Sequence, residues 1–228
     1  MEKQLRTMLV NMQTCSNFKD CGADYAPKKG HVPRGFSGAT CNPDEVYLVI
    51  VSAQPSKPFT KDKKPFLEEI YSGDPVRDVD VVLGAEYLRS SATDYHANIR
   101  TFLDDVFPQF CGDFDRQLKH VWVTQSRHCS IVEKPGGKKS GNIGKPVRLI
   151  CSRTHLVEQV KLFPNAIVLL AGSKAREARE EIARLRRPIS SCFSFAPLNS
   201  QKVAAKESHQ QAAIECKDHV DRMIAERS

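Results

Sequence analysis

The sequence lacks the features that mark several common classes of protein. Its apolar runs are too short to cross a bilayer, and its first residues contain no apolar core of the signal-peptide type. It has no internal repeat, no heptad pattern, no glycine-rich phosphate-binding loop and no Gly-x-Ser-x-Gly elbow. We therefore expect a cytoplasmic protein with no membrane partner, and neither a coiled coil nor a P-loop nucleotide-binding protein.

The composition is that of an ordinary globular protein with an excess of positive charge. The 228 residues suit one domain, which we expect to act as a monomer. The formal net charge of +7 favours an anionic partner such as nucleic acid. In a reducing cytoplasm the eight cysteines are not expected to form disulfides, which leaves buried thiols or metal ligands as their role.

Apolar runs and helical periodicities alternate along the chain. The predicted strands are 46–52, 120–124, 166–170 and 191–195, and the predicted helices are 3–12, 97–106, 149–162, 173–187 and 203–225. The first and third strands are continuous and rich in β-branched residues, as in strands that are covered on both faces. The alternation predicts an α/β fold, a three-layer α/β/α sandwich with a central, mainly parallel, four-stranded sheet.

Three segments interrupt this pattern. Residues 15–42 are rich in glycine, proline and lysine, which predicts irregular structure, and residues 57–92 predict an insertion with a short helix near 65–71. Residues 133–148 form a basic loop that is rich in glycine and lysine. Because ligands of open parallel sheets bind outside the carboxyl ends of the strands, we expect the site among the residues that follow each strand.

Short motifs follow the predicted strands in a fixed order. They are Val51-Ser52-Ala53-Gln54-Pro55-Ser56, Thr124-Gln125-Ser126-Arg127-His128-Cys129, a helix that begins at Cys151, Leu170-Ala171-Gly172-Ser173-Lys174-Ala175 and Phe195-Ala196-Pro197-Leu198. Over about residues 15–199 this order resembles the uracil-DNA glycosylase superfamily, closest to its family 4 and family 5 branches. The resemblance implies a single glycosylase-like domain over residues 1–228.

The resemblance implies how a flipped uracil is held. Gln125 stands where relatives read uracil with asparagine, and its amide can likewise donate and accept hydrogen bonds. Tyr95 stands at the aromatic residue that stacks on the base, and Phe66 is the second choice because its local sequence is also similar. Ala53 and Pro55 of the first motif complete the implied substrate-binding set.

The residues that relatives use for catalysis are replaced in this sequence. Gln54 stands where relatives position water with aspartate or glutamate, and Ala196 stands where they have histidine. A second register of the last motif puts Ser194 at the histidine position instead. Gln54 can orient a water molecule, but it cannot accept a proton from it, so the resemblance implies a site in which other groups contribute.

Replacement groups are present near the implied pocket. His96 is the first candidate because it starts the helix nearest to that pocket, and Asp94 and Asn199 are further candidates. The structural alternative is that a histidine near a helix start is a surface or capping residue. The sequence leaves both interpretations open.

Four cysteines occur in the order in which relatives hold a four-iron cluster. They are Cys15, Cys21, Cys129 and Cys151, and the resemblance implies that they ligate a [4Fe-4S] cluster that takes no part in the chemical step. Relatives pair the first two as Cys-x-x-Cys, whereas five residues separate them here, and Cys41 competes for the role. The alternative is that all of these are buried structural thiols.

The resemblance also implies a set of DNA contacts. These residues are Lys138, Lys139 and Lys145 of the basic loop, Ser173 and Lys174 after the third strand, and Pro197 and Leu198 of the last motif. Lysines contact phosphates without regard to sequence, and an apolar side chain such as Leu198 can fill the gap that a flipped base leaves. The alternative for the basic loop is a solvated charged segment.

These interpretations lead to an expected function with two alternatives. The expected function is base excision repair of DNA damage by a DNA-binding hydrolase, a glycosidase that removes uracil from DNA and leaves an abasic site. The first alternative is a protein of the same fold that binds uracil-containing or abasic DNA with little or no turnover. The second alternative is an unrelated α/β hydrolase.

Overall fold

Apolar and largely β-branched runs form the central sheet. A computed structural model describes residues 3–18, 20–21, 25–27, 31–55, 72–84, 93–129, 145–196 and 202–227. In that part of the chain the strands are β1 (Ser37–Gly38), β2 (Leu48–Ser52), β3 (Val121–Gln125), β4 (Ile167–Ala171) and β5 (Ile189–Cys192). Every residue of β2, β3 and β4 is buried. Burial on both faces explains why these runs are so rich in apolar residues.

The strands lie in the order β1-β3-β2-β4-β5. β3, β2, β4 and β5 are parallel, whereas β1 pairs with β3 in the antiparallel sense. Ile50 of β2 lies between Val123 of β3 and Leu169 of β4. The prediction of a mainly parallel sheet is confirmed, but the predicted number of four strands is wrong, because β1 adds a fifth among the described residues.

Helices cover both faces of this sheet. In the described part of the chain they are α1 (Lys3–Gln13), α2 (Pro75–Gly84), α3 (Asp94–Val106), α4 (Phe114–Lys119), α5 (Lys145–Cys151), α6 (Val157–Lys161), α7 (Ser173–Arg176), α8 (Arg179–Ala183) and α9 (Lys202–Ala225). Helices α1, α2, α6 and α8 share one core with Val49 and Val51 of β2. Helices α3, α4 and α9 pack with Leu48 and Ile50 on the opposite face. The predicted three-layer α/β/α sandwich is thereby confirmed.

Two predicted helices are interrupted. A π-helical turn, Ser152–Leu156, separates α5 from α6, so the prediction of one continuous α-helix over 149–162 is wrong. The predicted helix 173–187 is divided into α7 and α8, and Arg186, with a φ of 55°, has a left-handed conformation that does not continue a right-handed helix. The sequence pattern also misses α4, which is only six residues long.

The edge strand β1 lies within the segment that we predicted to be irregular. Gly38 has a φ of 101°, and a Cβ atom there would come within 2.1 Å of the backbone oxygen of Val121. The following residue, Ala39, donates its N–H to that same oxygen over 2.8 Å. A two-residue strand has no alternation of apolar and polar residues, so its sequence resembles that of a loop.

Helix α2 lies within the predicted insertion. Val79 and Val82 are buried in the core that also contains residues of α1. Arg6 of α1 donates to Asp80 of α2 over 2.7 Å. This part of the predicted insertion is therefore part of the packed fold, and the predicted short helix near 65–71 lies outside the described residues.

Strand β5 is shorter and begins earlier than predicted. The apolar run 191–195 predicts a strand, but β5 ends at Cys192. Phe195 instead packs its ring against that of Phe102, with centroids 5.3 Å apart, and its carbonyl accepts a hydrogen bond from Asn98 Nδ2 over 2.9 Å. The apolar character of this run thus reflects a loop that is anchored in the core.

Helix α9 spans 24 residues and buries one face. Ala212, Cys216 and Val220 of that face lie in the core with α3. Within the described ranges no helix is both long and apolar enough to cross a membrane. All eight cysteines of the chain lie in these ranges, and all are free thiols.

Candidate functional site

The carboxyl ends of the parallel strands meet at one edge of the sheet, where the chain order reverses. β3 lies on one side of β2 and β4 on the other, so β2 stands at the switch point where open α/β sheets form a binding crevice. The loops after β2 and β3 are joined, because Ser126 N donates to Ser52 O over 2.7 Å and Arg127 N donates to Ala53 O over 3.1 Å. Ser126 Oγ also donates to Ala53 O over 2.8 Å. The two backbone bonds continue the hydrogen-bond pairing of β2 with β3 beyond the ends of these strands.

Gln125, the last residue of β3, brings a buried amide to this edge. It packs on Gly35, whose φ is +86° and where a Cβ atom would lie 2.7 Å from Gln125 Cγ and 2.8 Å from its Nε2. The side-chain oxygen Oε1 of Gln125 is buried and has no hydrogen-bond partner among the described residues. A buried polar atom without a partner costs about 1–3 kcal/mol. This oxygen is therefore available to accept a hydrogen bond from a ligand.

Tyr95 and Ser52 hold this amide in one orientation. Tyr95 lies in the first turn of α3, and its hydroxyl oxygen is 2.7 Å from Ser52 Oγ. The same hydroxyl is hydrogen-bonded to the side chain of Gln125. Because Oε1 of Gln125 has no partner in the described chain, the amide donates this bond from Nε2. We call Gly35, Ser52, Tyr95 and Gln125 the amide pocket.

The amide pocket holds hydrogen-bonding groups in defined states. Burial raises the pKa of Tyr95, while its hydrogen bonds with Ser52 and Gln125 act in the opposite direction. The phenol therefore keeps its proton near neutral pH and can donate as well as accept. An amide oxygen that lacks a partner, beside an aromatic ring, is suited to the edge of a planar ring that carries an N–H group.

The remaining first-motif residues line the start of the loop after β2. Ala53 uses its carbonyl oxygen in the bonds between the two loops, Pro55 is buried, and Gln54 is half-buried. His96 lies beside Tyr95 on α3, with ring centroids 5.2 Å apart. Its Nδ1 is 3.1 Å from Thr93 Oγ1, at the start of the same helix. His96 thus lies next to the amide pocket and also has the local contact expected of a capping residue.

The loop after β5 is fixed beside the loop after β4. Gly172, with a φ of +96°, follows β4, and a Cβ atom there would lie 3.1 Å from Ser194 Cβ. Ser194 Oγ accepts a hydrogen bond from Ala196 N over 3.2 Å. The loop backbone is held from the other side by α9, where His209 Nε2 lies 3.0 Å from Phe193 O.

The predicted DNA-contacting residues are described only in part. Ser173 is exposed and Lys174 half-buried at the start of α7, and Lys145 is exposed at the start of α5. The predicted residues that lie outside the described ranges are Phe66, Lys138, Lys139, Pro197, Leu198 and Asn199.

Four cysteines from separate parts of the chain line one cavity. Cys15 follows α1, Cys21 comes shortly after it, Cys129 follows β3 and Cys151 ends α5. They are the four cysteines that the resemblance assigns to an iron–sulfur cluster. His155, on the π-helical turn, also lines this cavity. We call this site the cysteine cavity. The prediction that a helix begins at Cys151 is wrong, because Cys151 is the last residue of α5.

Burial keeps the thiols of Cys129 and Cys151 protonated near neutral pH in the absence of a cation. Burial, the largest effect, raises the pKa of Cys151 to about 12 and raises the pKa of Cys129 as well. The backbone N–H of His128 donates to Cys151 Sγ over 3.4 Å, and His155 Nε2 lies 3.1 Å from Cys15 Sγ. Thiolates bind metals and thiols do not, so metal binding at this site must release protons.

The side chains that line the cavity supply four thiol donors. Among the described residues, no group of three or more histidine, cysteine, aspartate or glutamate side chains is arranged to hold one metal ion. Four cysteines are, however, the usual ligand set of a four-iron cluster, a larger cage with a ligand at each iron. The competing candidate Cys41 is elsewhere, since its thiol donates to Lys119 O over 2.7 Å, before the start of β3.

Several supporting residues were not predicted from the sequence. Gln159 of α6 accepts from Trp122 Nε1 over 3.0 Å and from Thr124 Oγ1 over 2.8 Å, and its Nε2 lies 3.1 Å from Nε2 of His128. Burial lowers the pKa of His128 to about 3, so this imidazole is neutral and accepts that bond. The sequence feature that indicates this network is Gln159, a polar residue next to Val160 on the apolar face of a predicted helix.

Comparisons with known proteins add no family to these observations. No protein-family model matches the chain, and a search of curated proteins gives no match. The arguments for function therefore depend on the motif order and on the geometry of the two sites.

Proposed function

We propose that this protein is a DNA repair glycosylase that hydrolyses the N-glycosidic bond of uracil in DNA and leaves an abasic site. The observation that carries the proposal is the buried amide of Gln125, whose Oε1 lacks a partner in the described chain while its Nε2 is held by Tyr95. The motif order that resembles uracil-DNA glycosylases gives this amide the base-reading role.

Uracil matches the orientation of this amide. Uracil presents an N–H group at ring position 3 between two carbonyl oxygens, so the N–H can donate to Gln125 Oε1. The second hydrogen on Nε2 can donate to a neighbouring carbonyl. Cytosine has an acceptor at ring position 3, which would face Oε1 with no hydrogen between them. A site built to pair with an N–H group rejects analogues that lack it, because its buried oxygen is left unpaired.

The chemical step requires a water molecule and stabilisation of charge. The base leaves as an anion from a sugar with oxocarbenium character, so the site must tolerate positive charge on the sugar and negative charge on the base. Gln54 orients the water molecule, and His96 is the candidate for proton transfer because it lies beside Tyr95. Rate enhancement then depends largely on positioning and on fixed dipoles.

The cysteine cavity is proposed to hold a [4Fe-4S] cluster with a structural role. Its four thiols belong to segments far apart in sequence, so a cluster would fasten the segment after α1 to the loop after β3 and to the end of α5. The proposed location of the protein is the reducing cytoplasm, which keeps such thiols available. DNA is the proposed partner, contacted at the exposed Ser173 and Lys145 and favoured by the net charge of +7.

A second candidate function is recognition of uracil or of abasic sites without turnover. It is favoured by Gln54 and Ala196, which replace the carboxylate and the imidazole of the relatives it resembles. The amide pocket serves this function equally well, since reading a base does not require a general base.

One experiment separates these functions. The purified chain is incubated with single- and double-stranded oligonucleotides that contain one uracil, and with matched oligonucleotides that contain cytosine or thymine at that position. Strand cleavage after alkali at uracil alone supports the glycosylase. A slowly dissociating complex with uracil-containing or abasic DNA, without cleavage, supports the binding protein. If neither appears, both proposals are wrong and an unrelated α/β hydrolase becomes the better hypothesis.

A further inference from the structure

Arg127 is a buried cation that the proposed function does not use. Its side chain is 1% exposed, although it lies in the loop directly after β3. Its Nη2 donates to the backbone oxygen of Cys21 over 2.8 Å. Its Nε and Nη1 are buried and have no hydrogen-bond partner among the residues that the structure describes. A buried guanidinium with two unpartnered nitrogens is costly, so a missing partner is the simplest physical explanation.

The partner is indicated by what surrounds the guanidinium. Arg127 lines the cysteine cavity together with the four thiols. Burial lowers the pKa of Arg127, and negative charge on Cys21, Cys129 and Cys151 would act in the opposite direction. No carboxylate among the described residues forms an ion pair with it. The group that would satisfy Arg127 is therefore an anion held within the cavity by these cysteines.

A thiolate-ligated iron–sulfur cluster is such an anion. Four thiolates outweigh the positive charge of the oxidised core, so the assembly is negative, and one-electron reduction adds further negative charge. Burying an unpaired charge is strongly unfavourable, whereas a charge-assisted N–H bond to an anion is among the stronger hydrogen bonds. Hydrogen bonds and charge near the sulfurs also set the reduction potential of such clusters.

We propose that Arg127 is the counter-charge of the cluster, a positioning residue that supports its assembly and raises its reduction potential. The inference rests on the proposed cluster, but it does not depend on uracil release. Arg127 acts in two ways. Its bond to Cys21 ties one of the proposed ligand-bearing segments to another. Its unpartnered nitrogens, Nε and Nη1, would donate hydrogen bonds to the sulfur atoms of a bound cluster.

The test compares three variants with the wild-type chain after anaerobic purification. Arg127→Gln removes the charge, and Arg127→Lys keeps the charge but not the planar fork. Arg153→Gln is the matched control, because Arg153 is a nearby arginine on the π-helical turn that pairs with Glu181 over 2.8 Å. Iron and sulfide content, the visible absorbance and the midpoint potential during titration with dithionite, which supplies the electron, are measured for each protein.

The expected result is a lower potential for Arg127→Gln alone. Reduction of the cluster should become about tenfold less favourable. For a one-electron couple this corresponds to a midpoint potential that is about 59 mV more negative. A folded Arg127→Gln variant without iron, together with an iron-containing Arg127→Lys variant, supports the proposal equally. Circular dichroism distinguishes loss of iron from misfolding. If Arg127→Gln does not fold, the midpoint potential of Arg127→Lys decides whether the proposal stands.

Three results would overturn the proposal. The first is an Arg127→Gln cluster with the wild-type potential. The second is an Arg127→Lys variant that folds but contains no iron, or whose midpoint potential falls by as much as is expected for Arg127→Gln. The third is a wild-type protein that contains no iron, in which case the proposed cluster fails as well. In the first two cases the cluster and the glycosylase proposals stand, so the failures are distinguishable.

Discussion

The amide pocket and the cysteine cavity begin within a few residues of each other at the end of β3, yet they are built in different ways. The amide pocket uses residues at element ends, Gln125 of β3, Ser52 of β2 and Tyr95 of α3, joined by hydrogen bonds. The cysteine cavity brings together thiols from distant segments and surrounds them with buried nitrogen groups. Each site leaves buried polar atoms without a partner in the described chain, an amide oxygen in the first and two guanidinium nitrogens in the second. The two sites should therefore respond independently to mutation.

The largest effect is expected from a cysteine of the cavity. Cys151→Ser replaces a proposed thiol ligand by a hydroxyl, a poor iron ligand, so we expect complete loss of iron and of the visible absorbance from the anaerobic protein. Cys216→Ser is the control, because Cys216 is also buried but lies in the core on the other face of the sheet, with α3 and α9. If both variants keep their iron, the four-cysteine assignment is wrong.

The next largest effect should leave the iron untouched. Gln125→Leu removes the proposed base-reading amide while keeping most of the side-chain volume. We expect uracil release to fall by about 1–3 kcal/mol of transition-state stabilisation, roughly 5- to 150-fold. Gln125→Asn, which keeps the amide but shortens its reach, is expected to lie between wild type and Gln125→Leu. The measurement is kcat/KM on a uracil-containing oligonucleotide, and unchanged values for Gln125→Leu would remove this residue from base recognition.

Two glycines provide a matched pair that separates backbone strain from damage to the amide pocket. Gly35 and Gly112 both have positive φ, at +86° and +76°, but a Cβ atom would press on Gln125 only at Gly35, whereas nothing lies within 4 Å at Gly112. We expect each alanine substitution to lower the free energy of unfolding by about 1–2 kcal/mol, measured by urea denaturation.

The pair differs in its expected effect on activity. Gly35→Ala should also reduce uracil release, since the amide must move by several tenths of an ångström, and Gly112→Ala should leave uracil release unchanged. Equal activity in the two variants would show that the close packing of Gly35 on Gln125 does not matter for the reaction.

The smallest effect concerns the hydroxyl that orients the amide. Tyr95→Phe keeps the ring but removes the hydrogen bonds to Ser52 and Gln125. The side-chain amide of Gln125 can then rotate and exchange the positions of its oxygen and nitrogen. We expect a loss of about 0.5–1.5 kcal/mol in the preference for uracil over cytosine, measured as the ratio of kcat/KM values or of affinities. The double variant with Ser52→Ala should lose less than the sum of the two single losses, because the two residues share one bond. Additive losses would show that the hydrogen bond between Ser52 and Tyr95 does not contribute to this preference.

The sequence predicted the layers of this fold better than its details. Continuous apolar runs identify β2 and β4 because both faces of these strands are buried, and alternation with helices gives the parallel arrangement. Strand β1 was missed because it depends on the fit of Gly38 against Val121, a contact between distant residues. The π-helical turn after Cys151 was missed because one extra residue per turn hardly changes an apolar pattern.

The candidate sites were predictable to the extent that motifs lie next to strands. Gln125 and Ser52 were identifiable because strand ends meet at one edge, and Tyr95 was identifiable through the resemblance. The same resemblance named the four cysteines that line one cavity. Arg127 was not singled out, because nothing in its local sequence distinguishes a buried arginine from an exposed one. Burial of a polar group is a property of the three-dimensional fold.

The short strand β1 has a consequence for how the molecule meets its neighbours. An open strand edge is a template on which another chain can add, and β3 would present such an edge if β1 did not pair with it. The positive φ of Gly38 makes β1 end after two residues, so β1 is too short to recruit a further strand. Among the described residues the sheet thus ends on this side in a short strand of its own chain, which disfavours edge-to-edge aggregation of this protein.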